Sequence, residues 1–396
     1  MSIRKASAVM AAAIILLASA PAAAAETPSE IYSKAKAMVN AGNYAKASSL
    51  AEKYKKIKPA DHSGYQLSGM ILYKSGKYNK ALEQFAKSKK IFSGDYVSET
   101  YSGFSLLKTG EIKQAKASFE RAYAINKEYP QSLIGLGACC LKEKDPAKAK
   151  MHMKKAMKTA GDNDPEVYKD IAGIYLSENM PNDAIYVYNQ YLKLEDENPD
   201  IYYRLGKIYE SLDNRRCEKM YEKASELKKK NPVYKEALAG YLMSHGRSND
   251  AISIYEEAVA CGSKAWQPYY YTALPLFQKG DYKKTADRLK KAIKYRDAKF
   301  SKDIATAKMA LSAALLRSKE YKECSKISME FLKDDPKNES LWFNAACAYA
   351  MEGKKSEALK SLSKAVSLEK SNKDIAKNSE MFKSIKNDPE FIRITK

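Results

Sequence analysis

Histidine is scarce. The 396 residues hold three, His62, His152 and His245, far apart along the chain. No H-E-x-x-H motif is present, so the helical zinc-protease arrangement is excluded. G-x-x-x-x-G-K-[ST] is absent, which removes the P-loop phosphate cradle, and G-x-S-x-G is absent, which removes the nucleophile elbow. The six cysteines lack zinc-site spacing. Glu195-Asp196-Glu197 and Asp162-Asn163-Asp164 lack the spacing of a calcium loop and read as solvated helix caps. Met151-His152-Met153, with Cys139 and Cys140, gathers soft Cu(I)-type ligands. Met153 also has the spacing of a core residue, and the core reading is preferred. No catalytic constellation remains. The chain is expected not to be an enzyme, and no cofactor or metal is expected. Beyond residue 25 no stretch supplies the roughly 20 apolar residues of a membrane helix, so no integral membrane segment is expected.

What is present begins with a positively charged start, Arg4-Lys5, then a short apolar run from Ala8 to Ala20. Ala23-Ala24-Ala25 offers a small-residue cleavage site before Glu26. This is the pattern of a secretory signal peptide over residues 1–25. With no cysteine before Cys139, the new terminus would carry no lipid attachment site. The expected mature protein is soluble and exported, with a bacterial periplasm as the expected compartment. Removing the signal lowers the formal net charge from +21 to +19, because only Arg4 and Lys5 leave.

The remainder is periodic. Gly42, Gly76 and Gly110 stand 34 residues apart, as do Gly246 and Gly280, and Lys319 and Gly353. The clearest unit is Leu341 to Lys370, LWFNAACAYAMEGKKSEALKSLSKAVSLEK. Trp342, Ala345, Ala346 and Tyr349 share one helix face at i, i+3, i+4, i+7 spacing. Gly353 ends that helix. Ala358, Leu362, Ala365 and Val366 mark a second apolar face. Comparable sets recur in ten repeats, with Gly69, Gly76, Ala81 and Phe85 in the second and Gly103, Gly110, Ala115 and Phe119 in the third. Lys144 stands at the fourth turn, and the ninth repeat follows an insertion near Asp297 to Asp303. Asp164-Pro165, Asn198-Pro199 and Asn231-Pro232 each put a capping side chain before a proline suited to the first helical position, while Pro146 and Pro181 start second helices. Pro275 falls inside a helix and is expected to kink or break it.

These residues resemble the tetratricopeptide repeat (TPR), whose pattern runs W-x2-L-G-x2-Y, a glycine turn, then A-x3-F-x2-A. The resemblance implies an all-α fold, a right-handed superhelical solenoid of stacked antiparallel helix pairs over residues 28–372. Residues 373–396 resemble the closing segment of such arrays, with Phe382, Ile385, Asp388, Pro389 and Phe391 expected to cover the last repeat. Cys217 and Cys324 fall at or near the small core position, where a free thiol packs as a small hydrophobe. Cys324 and Cys347 are also the pair best placed for a disulfide, and both readings stay open.

In the TPR family the first helices line a concave surface that binds peptides or protein segments. Carried over repeat by repeat, the groove positions are Tyr73, Lys74, Phe104, Leu107, Lys108, Leu141 and Lys142, followed by Leu176, Tyr203, Met243, Tyr270, Phe277, Leu316, Phe343 and Met351. The resemblance thus implies an exported scaffold or adaptor for proteins or peptides, acidic ones being suited to the basic chain. The alternative is a cell-envelope assembly or polysaccharide-export accessory that contacts peptidoglycan or glycan. Lysine far outnumbers arginine and no nucleic-acid motif occurs, so nucleic acid is not an expected partner. The sequence leaves the oligomeric state open.

Overall fold

The computed structural model describes residues 26–161, 164–296 and 301–396. Residues 1–25, where a signal peptide is expected, Asp162-Asn163 and residues 297–300 of the insertion lie outside the described residues. The chain divides after Asp196 into two compact units. Each is a stack of five antiparallel helix pairs. Unit 1 runs α1 (Pro28–Asn40), α2 (Tyr44–Ile57), α3 (His62–Lys74), α4 (Tyr78–Ile91), α5 (Tyr96–Thr109), α6 (Ile112–Ile125), α7 (Pro130–Lys142), α8 (Pro146–Ala160), α9 (Glu166–Ser177) and α10 (Pro181–Leu194). Unit 2 runs α11 (Pro199–Ser211), α12 (Arg216–Leu227), α13 (Pro232–Ser244), α14 (Ser248–Ala260), α15 (Trp266–Gln278), α16 (Tyr282–Lys294), α17 (Ser301–Arg317), α18 (Tyr321–Phe331), α19 (Glu339–Met351) and α20 (Lys355–Leu368). It ends with α21 (Asn372–Asn378), a 3-10 turn (Glu380–Ile385) and α22 (Pro389–Thr395).

One small residue per second helix lets each pair close. Ala47, Ala81, Ala115, Ala149, Ala184, Cys217, Ala251, Thr285, Cys324 and Ala358 fill this position, and none is more than 1% exposed. Cys217 and Cys324 are therefore core residues standing where alanine is usual. Four residues on, Phe85, Phe119, Tyr188, Tyr221 and Tyr255 supply the bulk that fills the space between helices.

The turn between paired helices needs one residue in the left-handed region. Gly42, Gly76, Gly110, Gly246, Gly280 and Gly353 provide it at six turns. The other four use Lys144 (φ 61°), Asn179 (57°), Asp213 (51°) and Lys319 (66°). The amide after each turn residue closes the helix end, as Glu320 N does on Leu315 O at 2.9 Å and Lys354 N on Tyr349 O at 2.9 Å. A lysine held there carries strain of about 1–2 kcal/mol, offset partly by the entropy a glycine would lose on folding. Lys319→Gly is thus expected to stabilise unit 2 by about 0.5–1 kcal/mol. The check is a higher urea midpoint at unchanged slope, and a lower midpoint would contradict the strain.

Two expectations need correction. Asn198 does cap α11, accepting from Asp200 N at 3.2 Å, and Asn231 caps α13, accepting from Val233 N at 3.1 Å. Asp164 does not: α9 starts after Pro165 without a side-chain cap, and Val167 N donates instead to the Asp164 carbonyl. Pro275 does not break α15, which continues to Gln278. The proline sits in the last turn, where a single lost hydrogen bond ends no long ladder, and its own carbonyl accepts from Lys279 N at 3.1 Å.

The C-terminal segment packs on α19 and α20. Phe382, Ile385, Phe391 and Ile394 are buried there in one apolar cluster with Leu359, Leu362 and Val366.

Candidate functional site

In unit 1 the first helices of four successive repeats, α3, α5, α7 and α9, form one concave face. It encloses about 610 Å³. Tyr73 and Lys74 come from the end of α3, and Tyr101, Phe104, Leu107 and Lys108 from α5. Gln131, Ile134, Ala138 and Lys142 come from α7, and Asp170, Ile174, Ser177 and Glu178 from α9 and its C-cap. The repeat explains this convergence, since Tyr73 and Leu107 occupy equivalent positions, as do Lys74, Lys108 and Lys142.

An aromatic wall stands on one side. The Tyr73 and Tyr101 rings meet edge to face at 5.5 Å, and Tyr101 and Phe104 do so at 6.1 Å. Burial pushes the Tyr73 hydroxyl up to about 12 and raises that of Tyr101, with the charge of Asp170 adding to both. Facing them, the Asp170 carboxyl is pushed up to about 6. The largest cause is desolvation by surrounding protein, then repulsion from Glu166 and Asp164, against a small pull from Lys74. Its side chain still reaches solvent, as a group in an open concavity does: water touches it while protein crowds it on several sides. Lys142 Nζ meets Glu178 at 2.7 Å. Among the described residues Lys74 and Lys108 form no ion pair.

Of the expected groove residues, Tyr73, Lys74, Phe104, Leu107, Lys108 and Lys142 are brought together here. Leu141 is half-buried beside this face without lining it, and Leu176 is exposed. Phe104 also packs edge-on against Phe119 of the core at 4.9 Å, so it is not free of the fold. Tyr101 and Asp170 were not among the expected residues. Both lie nine positions before their turn residues, Gly110 and Asn179, a register that the repeat makes readable.

Unit 2 has its own smaller concavity of about 290 Å³, lined by Tyr203, Lys207, Glu236, Gly240 and Tyr241 among others. Tyr203 lies 5.4 Å from Tyr234 and 6.0 Å from Tyr221, whose hydroxyl donates to Glu210 at 2.6 Å. Met243 is half-buried and does not line it; Met351 is exposed. The rest of the expected face is largely absorbed by packing. Leu316 is buried, 7% exposed, inside the cluster formed with Leu311 and Leu315, and is not a surface residue. Tyr270 and Phe277 pack against the same cluster. Phe343 meets Phe382 of the C-terminal segment edge-on at 5.9 Å.

All six cysteines are free thiols. Cys324 and Cys347 share one core cluster without a bond between them. Burial pushes Cys324 up to about 11 and Cys347 up to about 12, so both stay protonated and weakly nucleophilic at neutral pH. Met151 is exposed while Met153 is buried, so the two do not converge on a common point. Among the described residues no group of three His, Cys, Asp or Glu side chains is arranged to hold a metal, and no helix is long and apolar enough to cross a membrane.

Family models described as tetratricopeptide repeat match residues 106–172 and 339–372. No curated protein matches the chain. Among solved structures it is similar to TTC0263, a thermophilic TPR protein of Thermus thermophilus, with 19% identity, 46% of this chain and 98% of that chain covered, and a TM-score of 0.41. It is similar to the P58(IPK) TPR domain at 16% identity, covering 93% of this chain and 97% of that one, with a TM-score of 0.26. Yeast Tom70 is similar at 15% identity, covering 92% and 98%, with a TM-score of 0.30. One family match falls in each unit, on helix pairs built on the same small core position and the same left-handed turn, and both units therefore carry tetratricopeptide repeats.

Proposed function

We propose that this protein is an exported, non-enzymatic scaffold that binds segments of other proteins on the concave face of unit 1. One observation carries the reading. That face gathers half-buried aromatic rings, two lysines without ion pairs and a desolvated carboxylate, and of the rings Phe104 and Tyr101 also touch the core, at Phe119 and Phe85. The clustered rings and the crowded carboxylate suit a surface that is covered by a partner. Lys74 and Lys108, one repeat apart on one edge, favour a segment with acidic residues. The composition of residues 1–25 supports export.

The test is capture by the mature chain, beginning near Glu26 and taken from the exported fraction. The wild type is expected to retain a defined set of proteins that the Lys74→Glu/Lys108→Glu variant loses by about tenfold or more, since two rim charges are reversed. Both lysines are exposed, so the circular dichroism and melting of the variant should match the wild type. Identical capture by both would move binding off this face, and an intact Met1 in the cytosolic fraction would end the export reading.

A further inference from the structure

The unit 1 face has a detail that an acidic partner alone does not use. Among the described residues Asp170 forms no ion pair, although lysines stand close by. Lys169 is held by Glu166 at 2.7 Å and Lys142 by Glu178 at 2.7 Å. Gln131, on α7, has its side-chain oxygen wholly buried with no donor. Tyr73 and Tyr101 present ring surface to the same concavity. A free carboxylate, an acceptor without a donor and two aromatic rings all complement one kind of group, a flat cation rich in N–H donors. A guanidinium can fork onto the carboxylate and stack on a tyrosine, and can give another N–H to the amide oxygen once the Gln131 side chain turns toward the groove. Lys74 opposes this, since its charge also reaches Asp170. An acidic residue beside the arginine would neutralise that lysine.

We propose that the concave face of unit 1 binds a peptide segment in which an arginine, received by Asp170, Gln131 and the Tyr73–Tyr101 pair, is flanked by an acidic residue received by Lys74 or Lys108. The proposal rests on the reading of this face as a peptide-binding groove. It adds the order of charge that the groove selects.

Immobilised random heptapeptides, probed with the full mature chain at pH 7.5, test it. The wild type is expected to enrich arginine next to Asp or Glu. Asp170→Asn, nearly the same shape and at an open position, is expected to lower the arginine enrichment about tenfold while acidic peptides are still retained. Glu166→Gln should keep the enrichment. At pH 5 the wild type should behave like Asp170→Asn, because a carboxyl pushed up to about 6 is mostly neutral there. The other charges facing it are Glu166 and Asp164 beside it, Lys74 from α3, Lys108 from α5 and the Lys142–Glu178 pair. Peptides retained without arginine preference, or a preference that survives Asp170→Asn, would overturn the charge order and leave the groove standing. Retention of no peptide by the wild type would overturn both.

Discussion

Phe119→Ala is expected to destabilise unit 1 by about 3–5 kcal/mol, the usual cost of emptying a filled aromatic site. The Phe119 ring on α6 is fully buried and clamped from both sides. A methyl group built on Gly103 of α5 would lie 2.7 Å from it, and one on Gly135 of α7 would lie 2.1 Å from it. The ring therefore locks its own repeat to the next, and hydrogen exchange of α5, α6 and α7 should report the loss first. The clamp also sets a coupling test. Gly135→Ala alone should cost about 1–3 kcal/mol by overpacking. In the Phe119→Ala background the added methyl enters the vacated space, and that cost should vanish or reverse. Simple additivity of the two changes would show that the glycine answers to something other than the ring.

Asp95→Ala should cost unit 1 about 2–4 kcal/mol, because it removes the buried charged acceptor that three donors share. Asp95 is almost completely buried, with one oxygen accepting from Gln66 Nε2 at 2.7 Å and from Ser98 N at 2.9 Å. The other oxygen accepts from the Ser88 hydroxyl at 2.6 Å. One carboxylate thus caps α5 while tying it to α3 and α4. Asp95→Asn keeps an oxygen for the cap and should recover part of the loss. Urea unfolding of the three proteins checks the order: wild type, then asparagine, then alanine. Equal stability of alanine and wild type would mean that the network contributes nothing net.

These residues also show where sequence reading succeeds and stops. The 34-residue spacing, the small core position and the glycine turns were legible because each answers to local geometry. Lys144 and Lys319 were placed at turns by register alone, and their positive φ values agree. The concave face was half legible. Repeat register finds which side of a helix a residue occupies, and it found Tyr73, Leu107 and Lys108. It does not find what the next helix brings against that side. Leu316 has groove register yet is buried beside Leu311 and Leu315, and Phe343 is taken up by Phe382. Phe104 serves both core and groove, so Phe104→Ala would lower stability together with binding, and the lysines are the cleaner probes. Asp170 was missed because an acid at a helix surface is ordinary until the tertiary fold crowds it.

The buried C-terminal segment has a consequence for how such a chain can change length. Phe382 and Phe391 pack on α19 and α20, the ground on which a further first helix would have to dock. A further first helix set directly after α20 would find that seat occupied. A repeat duplicated within the run would meet ordinary neighbours on both sides. Internal duplication therefore leaves this packing intact, whereas a repeat stacked directly on α20 would have to displace Phe382 and Phe391.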